Sequence, residues 1–184
     1  MEAKLVEFSA APPQLVVMGV SGAGKSTVGQ ALADGLSLVF VDADSLHPRS
    51  NVAKMAAGTP LDDDDRFPWL MRVGLELQRD GAAGVVVACS ALKRQYRDLI
   101  RERAPHAFFV HLSAGERVLA DRIAARPDHF MPASLLGSQL ATLEELGDDE
   151  AGVTVDCSLP VAELMREVIL ALGAVEGAEE VRLL

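Results

Sequence analysis

Residues 15–27 read LVVMGVSGAGKST: four apolar residues run straight into a glycine-rich turn that ends in Lys-Ser-Thr. The turn, Gly19-Val20-Ser21-Gly22-Ala23-Gly24-Lys25-Ser26-Thr27, fits GxxxxGK[ST], with the strand before it and the helix after it that this pattern requires. Its glycines let the backbone curl so that successive amides point inward, and the helix N-terminus adds partial positive charge. In such a loop Lys25 reaches the β- and γ-phosphates of a nucleoside triphosphate, and the Ser26 hydroxyl can ligate Mg2+. Gly19, Ser21, Gly22, Ala23, Gly24, Lys25, Ser26 and Thr27 are therefore the expected nucleotide-binding residues.

The remainder repeats one unit, a short apolar run followed by a helical pattern. Leu15–Met18, Leu38–Val41, Val85–Ala88, Ala107–Leu112 and a weaker Val153–Val155 read as five strands. Between them, helical spacing joins Val28, Ala31, Leu32 and Leu36, and then Asn51–Ala57 before Gly58 and Pro60. A further helix is expected from about Pro68 to Asp80, since proline suits a first turn. Helices carrying Tyr96, Leu99 and Ile100, then Val118, Leu119 and Ile123, follow strands three and four. Ser113 with Glu116 reads as a capping box for the second of these. Pro132 opens a helix through Leu143, and the last runs from Val161 to Leu172, with a frayed acidic tail after Gly173. Continuous rather than alternating apolar strands separated by helices specify an α/β fold, a parallel sheet covered on both faces. At 184 residues the chain supports one such domain, expected over 14–173 between an N-terminal extension (1–13) and the tail (174–184).

Ligands of such sheets bind at the carboxyl ends of the strands, so the residues that follow each strand are where chemistry is sought. After strand two stand Asp42 and Asp44, two carboxylates available to one site. One could order a metal's water shell while the other accepts the proton of an attacking hydroxyl. Strand three ends in Cys89-Ser90 with no acid, and no NKxD signature is present, which favours a small-molecule kinase over a switch GTPase. The stretch 42–70 is crowded with groups suited to a polyol or a carboxylate: Asp44, His47, Arg49, Asn51, Lys54 and Arg66. Asp62–Asp65 within it reads as a solvated helix entry. Ser90 and Lys93 lie just past strand three, at the same edge.

The net charge of −10 disfavours nucleic acid as a partner. The excess gathers toward the C-terminus: residues 148–184 hold nine acids and two bases, against 18 and 15 in the first 147. A small anion can thus still find a positive pocket in the larger part. Cys89 and Cys157 are far apart and lack metal-ligand spacing, which fits a reducing cytosol. No signal peptide or membrane span is read, so a cytoplasmic protein without a membrane partner is expected.

The chain resembles the gluconokinase family of P-loop carbohydrate kinases. The resemblance is carried by Met18-Gly19-Val20-Ser21-Gly22 with Gly24-Lys25-Ser26, Asp42-Ala43-Asp44 with Leu46-His47-Pro48, and Asn51 with Lys54-Met55. It continues through Gly58-Thr59-Pro60-Leu61, Asp63, Asp65-Arg66 and Pro68-Trp69-Leu70, then Cys89-Ser90-Ala91-Leu92-Lys93, Tyr96-Arg97-Asp98, His129-Phe130-Met131, Gln139 and Leu143-Glu144. It implies a nucleoside-monophosphate-kinase-like fold, ATP and Mg2+ as cofactors, and transfer of the γ-phosphoryl to the 6-hydroxyl of D-gluconate. Similarity to the shikimate kinases implies Asp44 as base and Asp42 as the metal-side acid. A lid at about 122–134 is implied as well, its Arg122 and Arg126 brought over the phosphates on closure, with Arg126 catalytic. His47, Asn51, Lys54, Arg66, Ser90, Lys93 and His129 are the expected acceptor contacts, and the resemblance suggests a homodimer.

Overall fold

The structure is a computed structural model and describes residues 12–79, 84–125 and 133–182. Five strands form one sheet: β1 (Gln14–Met18), β2 (Val39–Asp42), β3 (Val85–Ala88), β4 (Phe108–Ser113) and β5 (Gly152–Asp156). Their order is β2-β3-β1-β4-β5, and every described pairing is parallel. The chain therefore leaves β1 for the far edge, returns through β3, and crosses β1 to build the other half. The end of β1 is the switch point where such a sheet opens a crevice.

Helices cover both faces: α1 (Lys25–Leu36), α2 (Arg49–Ala56), α3 (Asp63–Leu77), α4 (Arg94–Arg101), α5 (Glu116–Ala124), α6 (Ala133–Thr142) and α7 (Val161–Arg182). Alternate strand residues feed two cores. Leu15, Val17, Val86, Phe108 and Val110 meet Val28 and Leu32 of α1 and Leu164 and Val168 of α7. Val16, Met18, Val87 and Phe109 meet Trp69, Leu70 and Val73 of α3 and Tyr96 and Ile100 of α4. The three inner strands are thus apolar on both sides apart from buried His111 of β4, and each such apolar side chain withdrawn from water contributes roughly 1.5–3 kcal/mol.

Three local expectations are corrected. Helix α3 starts at Asp63, five residues before the turn that Pro68 suggested, because Asp62 and Asp65 form a reciprocal capping box. Pro68 sits inside the helix. Both it and Asp64 are exposed, so the bond that Pro68 cannot donate is missing on the solvent side. Ser113 does not cap α5: it is still paired with Asp156 in the sheet, and Gly115 takes the cap position. Helix α7 passes through Gly173 and continues to Arg182.

Candidate active site

Met18 hands β1 over to a loop whose glycines are needed for their shape. Gly19 has φ 138°, and a Cβ there would lie 2.7 Å from the Leu112 carbonyl oxygen. Gly22 has φ 82°, and its Cβ would meet the Leu119 carbonyl at 2.8 Å and the Ile123 side chain at 2.9 Å. Only glycine lets the loop lie this close to β4 and α5 at positive φ. Gly24 is the left-handed cap of α1, which begins with Lys25, Ser26 and Thr27. The Lys25 ammonium donates to the Val20 carbonyl at 3.1 Å across the loop. The Ser21 amide donates to Oε1 of Gln139 on α6 at 2.7 Å. Ala23 is buried beside it.

The sheet register brings the acid pair to this loop. Asp42 lies opposite Ala88, and Ala88 opposite Val17, so β2 ends level with the start of the loop. Ser26 Oγ donates to Asp42 Oδ2 at 2.8 Å, while Asp42 Oδ1 accepts the Asp44 amide at 3.1 Å. Asp42 therefore does two things: it caps the 3-10 turn Ala43–Leu46 and reaches the helix end of the phosphate loop. Asp44, in the first turn, is exposed. Cys89 is sealed at the end of β3, where burial pushes its thiol up to about 12, which leaves it unreactive.

The polar wall follows the same edge. The His47 ring stacks on Trp69 at 4.2 Å, and the indole N–H holds the Ala43 carbonyl at 2.7 Å. Burial pushes the His47 imidazole below its ordinary value; Asp44 opposes that fall and Arg66 adds to it. His47 is accordingly neutral at pH 7 and able to donate and accept at once. Buried Asn51 donates to the Asp65 carbonyl at 2.8 Å and sits 3.4 Å from His47 Nδ1. Lys54 is held by Asp62 and Asp65. Lys93 pairs with Asp63 at 2.8 Å, and Arg66 approaches the same carboxylate at 3.8 Å. The Ser90 carbonyl accepts the Gly19 amide at 3.3 Å, which ties the loop after β3 to the phosphate loop.

Arg122 borders the phosphate loop from the side of α5. Its guanidinium donates to the Cys157 carbonyl at 2.6 Å and lines a cavity of about 290 Å³ with Gly22, Gly24, Thr27, Leu159 and Leu164. This cavity flanks the start of α1. Arg126 and His129, expected over the phosphates and at the acceptor, lie outside the described residues, as does most of the expected lid.

Four contributors read, in the sequence, only as carrying the resemblance, with no role in the site. Gln139 reaches Ser21 from 118 residues away. Trp69 supports His47 from α3, and Asp63 gathers donors from Lys93, Gln95 and Tyr96; by position alone the aspartate reads as a helix entry. The largest omission is Arg97, fully buried, which donates to both oxygens of Glu150 at 2.7 Å. It also donates to the carbonyls of Ala91, Leu92, Glu144 and Glu145, so it moulds the loop carrying Ser90 and Lys93. Ala91 in that loop has φ 41°.

Phosphoryl transfer to a small polar acceptor is the chemistry that an anion cradle facing such a wall serves, which makes this chain a P-loop kinase. A family model described as "AAA domain" matches residues 15–146. The chain is 51% identical over 146 residues to a gluconokinase of Gluconobacter oxydans (strain 621H), covering 78% of this chain and 82% of the relative. It is 44% identical over 158 residues to the thermoresistant gluconokinase of Escherichia coli (strain K12), covering 84% and 90%. The crystal structure of a gluconokinase from Sinorhizobium meliloti 1021 superposes with a TM-score of 0.83 at 47% identity, over 93% of this chain and 97% of that one. With identities of this order over most of both partners, the chain belongs to the gluconokinase family.

Proposed function

We propose that the protein transfers the γ-phosphoryl of ATP to the 6-hydroxyl of D-gluconate, giving 6-phospho-D-gluconate and ADP. The observation that carries the reading is the 2.8 Å contact between Ser26 and Asp42, which joins the phosphate loop to the acid pair. Relatives named gluconokinases support the choice of acceptor.

In this reading the loop amides and Lys25 hold the triphosphate, and Arg122 and Arg126 approach it from the lid side. Asp44 accepts the proton of the 6-hydroxyl as that oxygen attacks phosphorus. His47, Asn51, Lys54 and Ser90 meet the polyol, with His129 closing over it, and Arg66 and Lys93 face the carboxylate. Ser26 and Asp42 offer a hydroxyl and a carboxylate oxygen, a hard donor set that fits Mg2+, an ion that keeps most of its waters. When bound, the ion neutralises charge on the phosphate oxygens. The remaining groups position the reactants and exclude water, which would otherwise compete as acceptor.

A cytoplasmic location and a homodimer complete the reading. The free, buried thiols of Cys89 and Cys157 support the first, and resemblance to the family supports the second. Neither a membrane nor nucleic acid is a partner in it; among the described residues no helix is long and apolar enough to cross a membrane.

The test is ADP release with Mg-ATP, alone and with D-gluconate, shikimate, other sugar acids or nucleoside monophosphates. Gluconate-dependent release is expected. Release with another acceptor only would keep the mechanism and remove the substrate, and ATP binding without acceptor-dependent release would leave a nucleotide-binding regulator.

Two variants bear on the loop. Gly22→Ala places a Cβ against Leu119 and Ile123, and strain of about 1–3 kcal/mol falls on the nucleotide cradle. Titration with a fluorescent ATP analogue should show affinity lowered roughly tenfold; unchanged affinity would mean that the loop accommodates a side chain. Ser26→Ala, which removes the hydroxyl facing Asp42, should raise the Mg2+ concentration for half-maximal rate, with ATP binding in EDTA little altered.

A further inference from the structure

Asp63 receives more donors than any other carboxylate of the polar wall. Lys93 Nζ donates to its two oxygens at 3.0 and 2.8 Å, Gln95 Nε2 at 3.0 Å and the Tyr96 hydroxyl at 2.5 Å. Arg66 stands 3.8 Å away, one turn along α3. Both cations also share an aromatic ring: Lys93 Nζ lies 5.2 Å and the Arg66 guanidinium 5.9 Å from the centre of Tyr96. The hydrogen bonds from Lys93 and then Tyr96 hold the Asp63 carboxyl at about 2, so it is charged at every working pH. Lys54, the third cation nearby, is held by two carboxylates, Asp62 and Asp65, so that this neighbouring group carries −1 and adds no positive charge.

Two cations and one carboxylate give the cluster around Tyr96 a charge of +1. An acceptor carrying one carboxylate matches that charge, whereas a second negative charge would have to be desolvated without a partner. We propose that Asp63 sets the charge of the acceptor, cancelling one of the Lys93–Arg66 pair so that the site selects a monoanionic polyol acid over a dianion. Asp63 acts through the two cations and is a positioning residue rather than a catalytic one. The inference rests on the reading that Lys93 and Arg66 face the acceptor's carboxylate.

The test uses two small hydroxy acids, glycerate with one carboxylate and tartronate with two, titrated by NMR against the full-length protein. D-gluconate turnover is followed alongside. Asp63→Asn keeps the side-chain shape and one oxygen acceptor but raises the local charge to +2. It should shift the tartronate-to-glycerate affinity ratio toward tartronate by roughly tenfold. Asp63→Glu should restore the wild-type ratio, and so should Lys93→Gln added to Asp63→Asn, which returns the charge to +1. A merely structural role would weaken both acids together, and a ratio that moves by less than about threefold overturns the proposal. Should Asp63→Asn not fold, Lys93→Gln alone decides: tartronate must weaken more than glycerate. Wild-type protein that binds these acids as expected but does not turn over D-gluconate would sink the proposed substrate while leaving the charge rule standing.

Discussion

Asp44→Asn is expected to lower kcat for gluconate phosphorylation by about 10²–10⁴, the range that a general base contributes. ATP affinity should hardly change. The substitution is nearly isosteric and leaves the backbone intact, and it is the Asp44 amide, not its carboxylate, that binds Asp42. The side chain is exposed, so stability should stay within about 0.5 kcal/mol. Fold and nucleotide binding are then separable from turnover: a calorimetric scan and an ATP titration serve as controls beside the rate assay. A variant that keeps its rate within a few-fold would show that the proton leaves by another route, with Asp42 the obvious second acid.

The largest expected loss of stability is at Glu150. Its side chain is 1% exposed and Arg97 is 0% exposed, so both charges are out of water. They survive there because the geometry is complete. Arg97 grips both carboxylate oxygens, Arg101 adds a third contact at 2.7 Å, and the Gly147 amide donates at 3.0 Å. Glu150→Gln leaves Arg97 buried without its counter-charge, and breaking one side of such a pair costs about 3–5 kcal/mol. At roughly 2–4 °C per kcal/mol for a chain of this size, Tm should fall by about 6–20 °C. Replacing both partners with apolar residues, Arg97→Met with Glu150→Leu, should recover part of that loss, since the fully buried charge is gone while the carbonyls that Arg97 held lose their donor.

The same carboxylate has a pH signature. Burial pushes the Glu150 carboxyl up, but Arg97, the Gly147 amide and Arg101 outweigh it and hold it at about 2. The unfolded chain takes up this proton near the ordinary glutamate value, so the contribution is complete above about 4.5. It is lost as pH falls from there through about 2. Denaturant midpoints across that range should drop more steeply for wild type than for the apolar double variant.

The sheet and the phosphate loop could be read directly, because each depends on local pattern. Val85–Ala88 is found with the expected ends, and the other strands differ from expectation by a residue or so at their ends. The Asp42–Asp44 pair was legible because the loop and the strand that it follows announce a catalytic edge. Arg97, Glu150, Gln139 and the donors around Asp63 were not, for a shared physical reason. Each works through a partner 30 to 118 residues away, and a charged residue on a helix reads as a solvated face until that partner is known. The start of α3 was misplaced for a different reason: aspartate at the third helical position closed the capping box where glutamate or glutamine is the usual signal.

The strand order has a bearing on how the protein is made. β1 lies at the centre, yet both of its neighbours, β3 and β4, are encoded far downstream. On a ribosome, Leu15–Met18 emerges ahead of both partners and waits for Ser113, 95 residues later, before both flanks are available. At translation rates of roughly 5–20 residues per second that wait lasts about 5–20 s. Throughout it, a fully apolar strand with at least one unpaired edge is open to chaperones and to other nascent chains. The element that carries the phosphate loop is made before either neighbour, and it is sheltered on both edges only once Ser113 has been added.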